Sequence, residues 1–584
     1  MKKYFKKHWF EYVFSLVLTF AIALVVTKKF GYVYSTNDDV MIRNIINGNF
    51  SGNPDGHLIF ISYALASVWK VLYNLLPDIQ WYDLFTVVLH YLSWFLILVR
   101  VGCQVTGKKA KTILITGVMG LLVVIDLKFL VTPQFTVISA IMAGVAIFWL
   151  ATKKVWEGFE GCLDYAVIIL MLLLSASYRK EPFLLALPVV ALVIVLDIWK
   201  RVKEKRELKT YILKAAVGVG IFGLLYLSMG IVEYAAYKSD AWKEFQRSQD
   251  ARPQIYDYTG VPSLYEYEEA YKELGIDYAD WMAIYTYNCG LADDFNAEKM
   301  EGVADISLQI RENWRNASKF TDLIKKDFYA FCIKMFENDI QPVGIFVIAL
   351  YVLAFLVCYK NDDKKTCLLL AGLMLFYMAV FLYLIDQGRM PERVIYGIYF
   401  VQFMCLLAVI TNTLEAWINE VKKERFWVLM TVGIYCFVVI VSFFYSWQIV
   451  KEERDRLVQN ATDWEYINDY FEQSPEKRYC LNTASFVFST EILFSKKVES
   501  DNMIRLGDWT LNSPLQKEKL VSQGVGNLVQ QLVEEDDFYI VQEPEMGTVW
   551  INDICNHRGY DVEAVVTEQI ITPGGRVLEV IQMQ

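Results

Sequence analysis

Thr36-Asn37-Asp38-Asp39 places two adjacent carboxylates at the head of an amphipathic run (40–50), directly after the first strongly apolar stretch of the chain. Carboxylates there could act as a general base, or hold a divalent cation such as Mg2+ or Mn2+, at a water–membrane boundary. A simpler role fits the same residues. Thr36 as N-cap with Asp39 three residues later is a capping-box pattern, and acidic side chains are favoured in a first helical turn. Asp55 and His57, in Asn53-Pro54-Asp55-Gly56-His57, join such a site if the loop folds back on itself. A lone histidine in a loop is more often a surface residue.

The other residues suited to chemistry are basic and precede apolar runs. They lie in Tyr178-Arg179-Lys180-Glu181-Pro182 and in Asp386-Gln387-Gly388-Arg389-Met390-Pro391-Glu392-Arg393. Proline at a helix start needs no functional reason, and the same holds for Pro133 and Pro342. Arginine beside the free N–H groups of a helix N-terminus is different, because the combination suits a phosphate. Arg179, Lys180, Arg389 and Arg393 are therefore candidate phosphate contacts, with pairing to Glu181, Asp386 or Glu392 as the structural alternative.

These residues must be positioned by a membrane body. The 584-residue chain is 55% hydrophobic, with a mean hydropathy of +0.30. Its repeated apolar stretches have the length of transmembrane helices. Spans are expected at 9–27, 83–101, 112–127, 133–151, 162–176, 182–198, 211–232, 342–359, 366–385, 392–416 and 426–446, about eleven in all. Lys and Arg exceed those of the opposite loops roughly fourfold in the segments on the side of the N-terminus. This predicts a cytoplasmic N-terminus and a multi-pass plasma-membrane protein. Lys28 and Lys29 run against that bias. The same rule lays the apolar run 58–76 along the outer surface, since a crossing there would invert every later loop.

Two further soluble stretches then fall outside. Residues 233–341, rich in Tyr, Asp and Glu, pattern as a cap of short helices, and 450–584 as a small domain. In the latter, a helix at 464–471 and strands at 538–542, 562–568 and 576–582 are expected, with a turn at 572–575. The fold class is thus a polytopic α-helical membrane protein with a C-terminal extracytoplasmic α/β domain. The division is a transmembrane domain, 1–449, carrying an outer loop at 35–82 and an outer helical loop at 233–341, followed by 450–584. A net charge of −10 argues against nucleic acid as a partner. The 10 cysteines show neither CxxC nor metal-ligand spacing, so no disulfide framework is expected. Glu11, Asp83, Asp164, Asp197 and Glu415 lie near span ends, so the spans are expected to hold almost no mid-bilayer Asp, Glu, Lys or Arg. That absence weighs against an ion-coupled transporter.

A first span, an outer loop opening on Asp38-Asp39, juxtamembrane helices introduced by Pro54-Asp55-Gly56-His57, and many later spans resemble the GT-C glycosyltransferases. Tyr178-Arg179-Lys180-Glu181-Pro182 before an apolar helix is similar to the basic outer-loop motif of several such enzymes. The resemblance covers the membrane part, to about residue 420. It implies transfer of a sugar from a polyprenyl-phosphate carrier to an envelope glycan or lipid acceptor on the outer face, among membrane lipids. It implies Asp38 or Asp39 as the base that receives the acceptor hydroxyl proton, with inversion, and Arg179 and Lys180 on the donor phosphate. Arg389 and Arg393 are assigned by position alone. The adjacent aspartates depart from an Asp-x-Asp metal pair. A polymerase or ligase acting on lipid-diphosphate oligosaccharides is the alternative enzyme; a lipid-linked-sugar flippase or an assembly scaffold is the non-enzymatic one.

Overall fold

The computed structural model describes residues 2–153, 158–204, 208–318, 320–334, 342–360, 363–421, 425–497 and 499–584. Helix α1 (Lys2–Lys29) leads into two short helices, α2 (Asn37–Asn47) and α3 (Tyr63–Leu75). The membrane body continues with α4 (Trp81–Cys103), α5 (Lys108–Val131), α6 (Phe135–Ala151), α7 (Gly158–Tyr178), α8 (Lys180–Glu204) and α9 (Leu208–Ala236). A helical cap follows: α10 (Asp240–Pro253), α11 (Glu268–Glu273), α12 (Tyr278–Tyr285), α13 (Ala297–Ala317) and α14 (Phe320–Lys334). The chain then returns through α15 (Val343–Lys360), α16 (Lys364–Asp386), α17 (Glu392–Val421) and α18 (Arg425–Glu472).

Among the described residues, 8 helices are long and apolar enough to cross a membrane: most of α1, α4, α5, α7, and the apolar parts of α8, α9, α16 and α17. Each coincides with an expected span. The chain is a multi-pass membrane protein. The count of eleven is not reached, because α6 and the apolar part of α15 are shorter, and 426–446 lies in α18, where many side chains fall outside the described residues.

Helix α6 has a reason to be short. It is the axis of the bundle, with every residue from Phe135 to Leu150 buried, so it meets helices rather than lipid on all sides. It packs closely on α17, where a Cβ added at Gly397 would stand 2.9 Å from the Ala140 Cβ. Small residues at such a contact let two backbones approach.

The run 58–76 is helical only over α3, whose 13 residues reach about 20 Å, short of a bilayer core of about 30 Å. Ser62 caps it by accepting from the Leu65 N–H at 3.4 Å. Ala66, Trp69 and Tyr73 are buried, while Val68, Val71 and Leu75 stay exposed, an apolar edge of the kind a surface helix lays on lipid.

The C-terminal domain is entered through α18 without a break, so residue 450 lies inside one continuous helix of 48 residues. Its sheet comprises β1 (Arg478–Leu481), β2 (Met503–Arg505), β3 (Phe538–Gln542), β4 (Ala564–Ile571) and β5 (Val577–Met583), in the order β2-β1-β3-β5-β4. β1 runs parallel to both neighbours, whereas β5 is antiparallel to β3 and β4. Helices α19 (Pro514–Ser522), α20 (Leu528–Glu534) and α21 (Val549–His557) complete it. Ala279, Ala283 and Leu291 of the cap share a core with Cys480, Ile540 and Ile554 of this domain.

Ionisable groups are nonetheless buried in the bundle near the span ends. Asp126 on α5 accepts from Trp94 Nε1 at 2.6 Å and from the Tyr396 hydroxyl at 2.5 Å, and His90 Nε2 lies 2.7 Å away. Arg100 on α4 pairs with Asp164 on α7 at 3.2 Å, and Lys111 pairs with Glu11. Each charge is matched on a different helix, so its burial is compensated only after packing.

The α6–α17 contact carries a prediction. Gly397→Ala forces two rigid helices apart and should destabilise by about 1–3 kcal/mol, the usual cost of overpacking. Gly144→Ala meets the Met404 Cγ at 2.9 Å, a movable side chain, and should cost less. Thermal unfolding of both variants in detergent checks the order.

Candidate functional site

Helix α2 begins as the sequence suggests but is held differently. Thr36 occupies the N-cap position with extended backbone, yet its hydroxyl makes no bond to a backbone N–H. It donates instead to Asp39 Oδ2 at 2.9 Å. Asp39 Oδ1 accepts from the Tyr82 hydroxyl at 2.7 Å and from the Phe135 N–H at 3.3 Å. The carboxylate is fully buried and both its oxygens are engaged, by α2's own cap, by α4 and by α6. Burial pushes its pKa up to about 7, against the Tyr82 and Thr36 hydrogen bonds and with help from the Asp38 charge.

Asp38, one residue earlier, is half-exposed and has no hydrogen bond or ion pair among the described residues. Its charge is felt by Arg252 and Arg393. Arg393 stands at the start of α17 and is half-buried. It has no hydrogen bond or ion pair among the described residues, and the other charges that act on it are Arg389, Arg179 and Asp39.

Arg393 opens onto a cavity of about 350 Å³ between α6, α8, α16 and α17. Arg179, Arg389 and Arg393 line it, with Thr136 and Gly397 from the central contact and Leu185, Leu384 and Val401 on its apolar walls. Arg179 lies between the turns of α7 and α8, with its guanidinium 4.6 Å from the Phe60 ring and 5.5 Å from the Phe135 ring. Those rings, 5.3 Å apart and stacked, belong to the first outer loop and to α6, so the loop helps fix the arginine. Glu181 partners Arg179 at 2.6 Å, and Asp257 partners Arg389. Two buried polar atoms on the lining residues lack partners, the Tyr377 hydroxyl and Gln254 Oε1. Buried polar groups are seldom left unpaired, and these two face the space a polar ligand would fill.

Arg179, Arg389 and Arg393 thus come together, with Asp38 and Asp39 beside them. Lys180 does not join them: it is exposed, outside the cavity lining, and acts on Asp250. Asp55 and His57 form a separate cluster. His57 Nδ1 lies 2.6 Å from Asp55 Oδ1, Lys70 reaches Asp55 Oδ2 at 3.4 Å, and the imidazole stacks on Trp242 at 4.1 Å. Burial alone would raise the Asp55 pKa, but the His57 bonds and the Lys70 charge outweigh it and hold the carboxyl low. This cluster pins the first loop to α9 and α10, since His57 Nε2 also meets the Ala236 carbonyl at 3.3 Å. Both oxygens of Asp39 are occupied by donors, and no metal-ready group of three ligands among the described residues includes Asp38 or Asp39.

The residue that sequence reasoning missed is Arg252. It ends α10 and donates to the Tyr287 hydroxyl at 2.8 Å, while its charge acts on Asp38 across the cap. In the sequence it is one charge in a polar helix, and only the wide turn at Gln254–Tyr258, which contributes Gln254 and Tyr258 to the cavity, brings it over the site.

No sequence family matches this chain, and no curated protein does. Two solved structures are similar to it. One is the crystal structure of ArnT from Cupriavidus metallidurans in the apo state, with 11% identity, 97% of each chain covered and a TM-score of 0.41. The other is ArnT from the same organism bound to undecaprenyl phosphate, with 12% identity, 97% of each chain covered and a TM-score of 0.38. At identities and TM-scores this low, the likeness decides neither the family nor the activity of this chain.

Asp39 sets a pH dependence of stability. Its folded pKa of about 7 lies above the ordinary 3.8, so the folded protein keeps a proton that the unfolded chain gives up. The stabilisation from that proton is complete below about pH 4 and is lost as pH rises to about 7, a change on the order of a few kcal/mol. Asp39→Asn keeps the shape and an acceptor for Tyr82 but cannot ionise. Melting curves at pH 5 and pH 8 should show the variant losing part of the wild-type difference; an unchanged difference would place the Asp39 carboxyl outside that titration.

Proposed function

We propose that this chain is a membrane glycosyltransferase that moves a sugar from a polyprenyl-phosphate carrier to an envelope glycan or lipid acceptor. The observation that carries this reading is Arg393, unpaired among the described residues and acted on by the Asp38 charge, in a cavity that it lines with Arg179 and Arg389 beside the apolar side chains of Leu185, Leu384 and Val401. A lipid phosphate has the matching form, an anion on a long apolar chain. Three arginines offer the anion charge-assisted hydrogen bonds, and the spans α8, α16 and α17 offer the chain its apolar contact.

In this reading the acceptor hydroxyl enters beside Asp38. Its oxygen forms a bond to the anomeric carbon while the bond from that carbon to the phosphate oxygen breaks. Asp38 receives the hydroxyl proton as general base. Arg393, Arg389 and Arg179 stabilise the charge that collects on the departing lipid phosphate. Asp39 is a positioning residue that locks α2 so that Asp38 faces the arginines. Attack from the side opposite the phosphate inverts the anomeric centre, and a hexose is the sugar class proposed. No step is assigned to Asp55, His57 or Lys180.

Transfer from labelled polyprenyl-phosphate sugars by the purified chain in detergent tests this. Asp38→Asn should lower kcat by about 100-fold or more with the fold intact, the usual worth of a general base. Arg393→Ala should weaken donor use by at least tenfold, as loss of a charge-assisted phosphate contact worth about 1.5–3 kcal/mol requires. Turnover that survives Asp38→Asn would move the base elsewhere. Absence of transfer from every monosaccharide donor, with turnover of a lipid-diphosphate oligosaccharide, would favour the polymerase or ligase alternative.

A further inference from the structure

At the end of the bundle remote from the cavity, the first turns of α1 meet the end of α4. His8 and Glu11 sit three residues apart on one face of α1, and Cys103 closes α4 against them. One ligand atom from each of the three residues falls within 4.8 Å of the others. His8 Nδ1 is 3.3 Å from Glu11 Oε1 and 3.5 Å from Cys103 Sγ. A tetrahedral ion with bonds of about 2.0–2.1 Å to oxygen and nitrogen and about 2.3 Å to sulfur sets its ligands about 3.4 Å and 3.6 Å apart along those edges. The observed separations are those of ligand atoms around one ion.

Burial adds a second argument. Glu11 is fully buried and His8 is 5% exposed. Lys111 and His8 take up Glu11 Oε1, which leaves Glu11 Oε2 buried without a hydrogen-bond partner, and His8 Nε2 is in the same condition. Unpaired polar atoms at this depth are costly. A cation held by Oε1 could take Oε2 as well, since a carboxylate can bind through both oxygens, and that would relieve the cost, with Lys111 beside it as a neighbouring charge.

We propose that His8, Glu11 and Cys103 bind a borderline-soft divalent metal ion of the Zn2+ class, clamping α1 to α4. The donor set of one imidazole nitrogen, one carboxylate oxygen and one thiolate sulfur suits zinc and disfavours Mg2+ or Ca2+, which take oxygen ligands. Binding expels the Cys103 thiol proton, so a thiolate meets the ion and the proton passes to solvent. A water completes the tetrahedron. The thiolate and Glu11, which Lys111 also contacts, offset part of the ion's charge. The role is structural, because the cluster lies far from Asp38 and Arg393 along the length of α1. The proposal stands independently of the glycosyltransferase reading.

The test uses the full chain in detergent, incubated with Zn2+, dialysed, and assayed for metal by mass spectrometry, then titrated with Co2+. Wild type should retain about one zinc per chain, and Co2+ should give the near-ultraviolet charge-transfer band of a thiolate ligand. Cys103→Ser should abolish that band and lower zinc retention at least tenfold, while Cys162→Ser, at an exposed cysteine, should change neither. Glu11→Gln, should Cys103→Ser fold poorly, gives a second reading: reduced zinc retention with the thiolate band still formed at high Co2+. The proposal is overturned if wild type retains no zinc after dialysis, or if retention is equal in wild type and Cys103→Ser.

Discussion

The end of the bundle that carries the cap hangs on the three hydrogen bonds that Asp39 accepts. A carboxylate with no exposed surface would ordinarily be expelled from a fold or neutralised. Here Thr36, Tyr82 and the Phe135 N–H close around it, so a two-residue step along α2 becomes a joint between the first outer loop, α4 and the central helix α6. The consequence for Asp38 follows from helical geometry. With residue 39 fixed inward, its neighbour is turned through about 100° and stays half-exposed, where its charge acts on Arg252 and Arg393. A cap alone would not need Tyr82 or Phe135, and Thr36 makes no capping bond to the backbone.

The C-terminal domain is held to the same loop by a second buried charge. Arg43, fully buried on α2, pairs with Glu491, while Tyr34 donates to Asp83 and Asp83 accepts from the Phe494 N–H at 2.5 Å. Backbone bonds run alongside: Tyr34 N to the Glu491 carbonyl at 3.1 Å, Leu493 N to the Tyr32 carbonyl at 3.1 Å, and Arg454 Nε to the Phe30 carbonyl at 2.7 Å. Buried ion pairs add little net stability, but removing one partner leaves a stranded charge at a cost of about 3–5 kcal/mol. The pair therefore specifies one docking pose for the domain more than it strengthens it. The cap is locked to the domain by shared apolar surface, so α2, cap and domain form one assembly above the spans.

Legibility in the sequence followed the range of the interactions. Helix α2, the short helices of 233–341 and the longest strands announce themselves through local pattern, and β3 matches the expected 538–542, whereas the surface position of 58–76 came from the Lys and Arg distribution of the whole chain. Pro391-Glu392-Arg393 likewise marks the start of α17. What could not be read spans long separations. The Asp126 partners lie 32, 36 and 270 residues away, and each looks apolar or inert in its own segment. β1 and β2, of 4 and 3 residues, are too short to show a period, and their parallel pairing is set by the intervening crossover. Lys180 and His57 misled because adjacency in sequence to a site residue, or chemical versatility, says nothing about which way a side chain turns.

The arginines themselves separate structure from site. Arg43, Arg100, Arg505 and Arg558 are each matched to a carboxylate, and Arg558 gathers Asp277, Asp280 and Asp293. Arg389 and Arg179 have one acid apiece, and Arg393 has no direct partner although two further guanidiniums act on it. Like charges gathered in a partly desolvated space repel by an amount that grows as the effective dielectric falls. Beside those four, this cluster is short of negative charge. In the proposed reading an anion in the cavity would supply what is missing and its departure would restore the repulsion, so binding and release would both act on Arg393, which shares the Asp38 charge with Arg252.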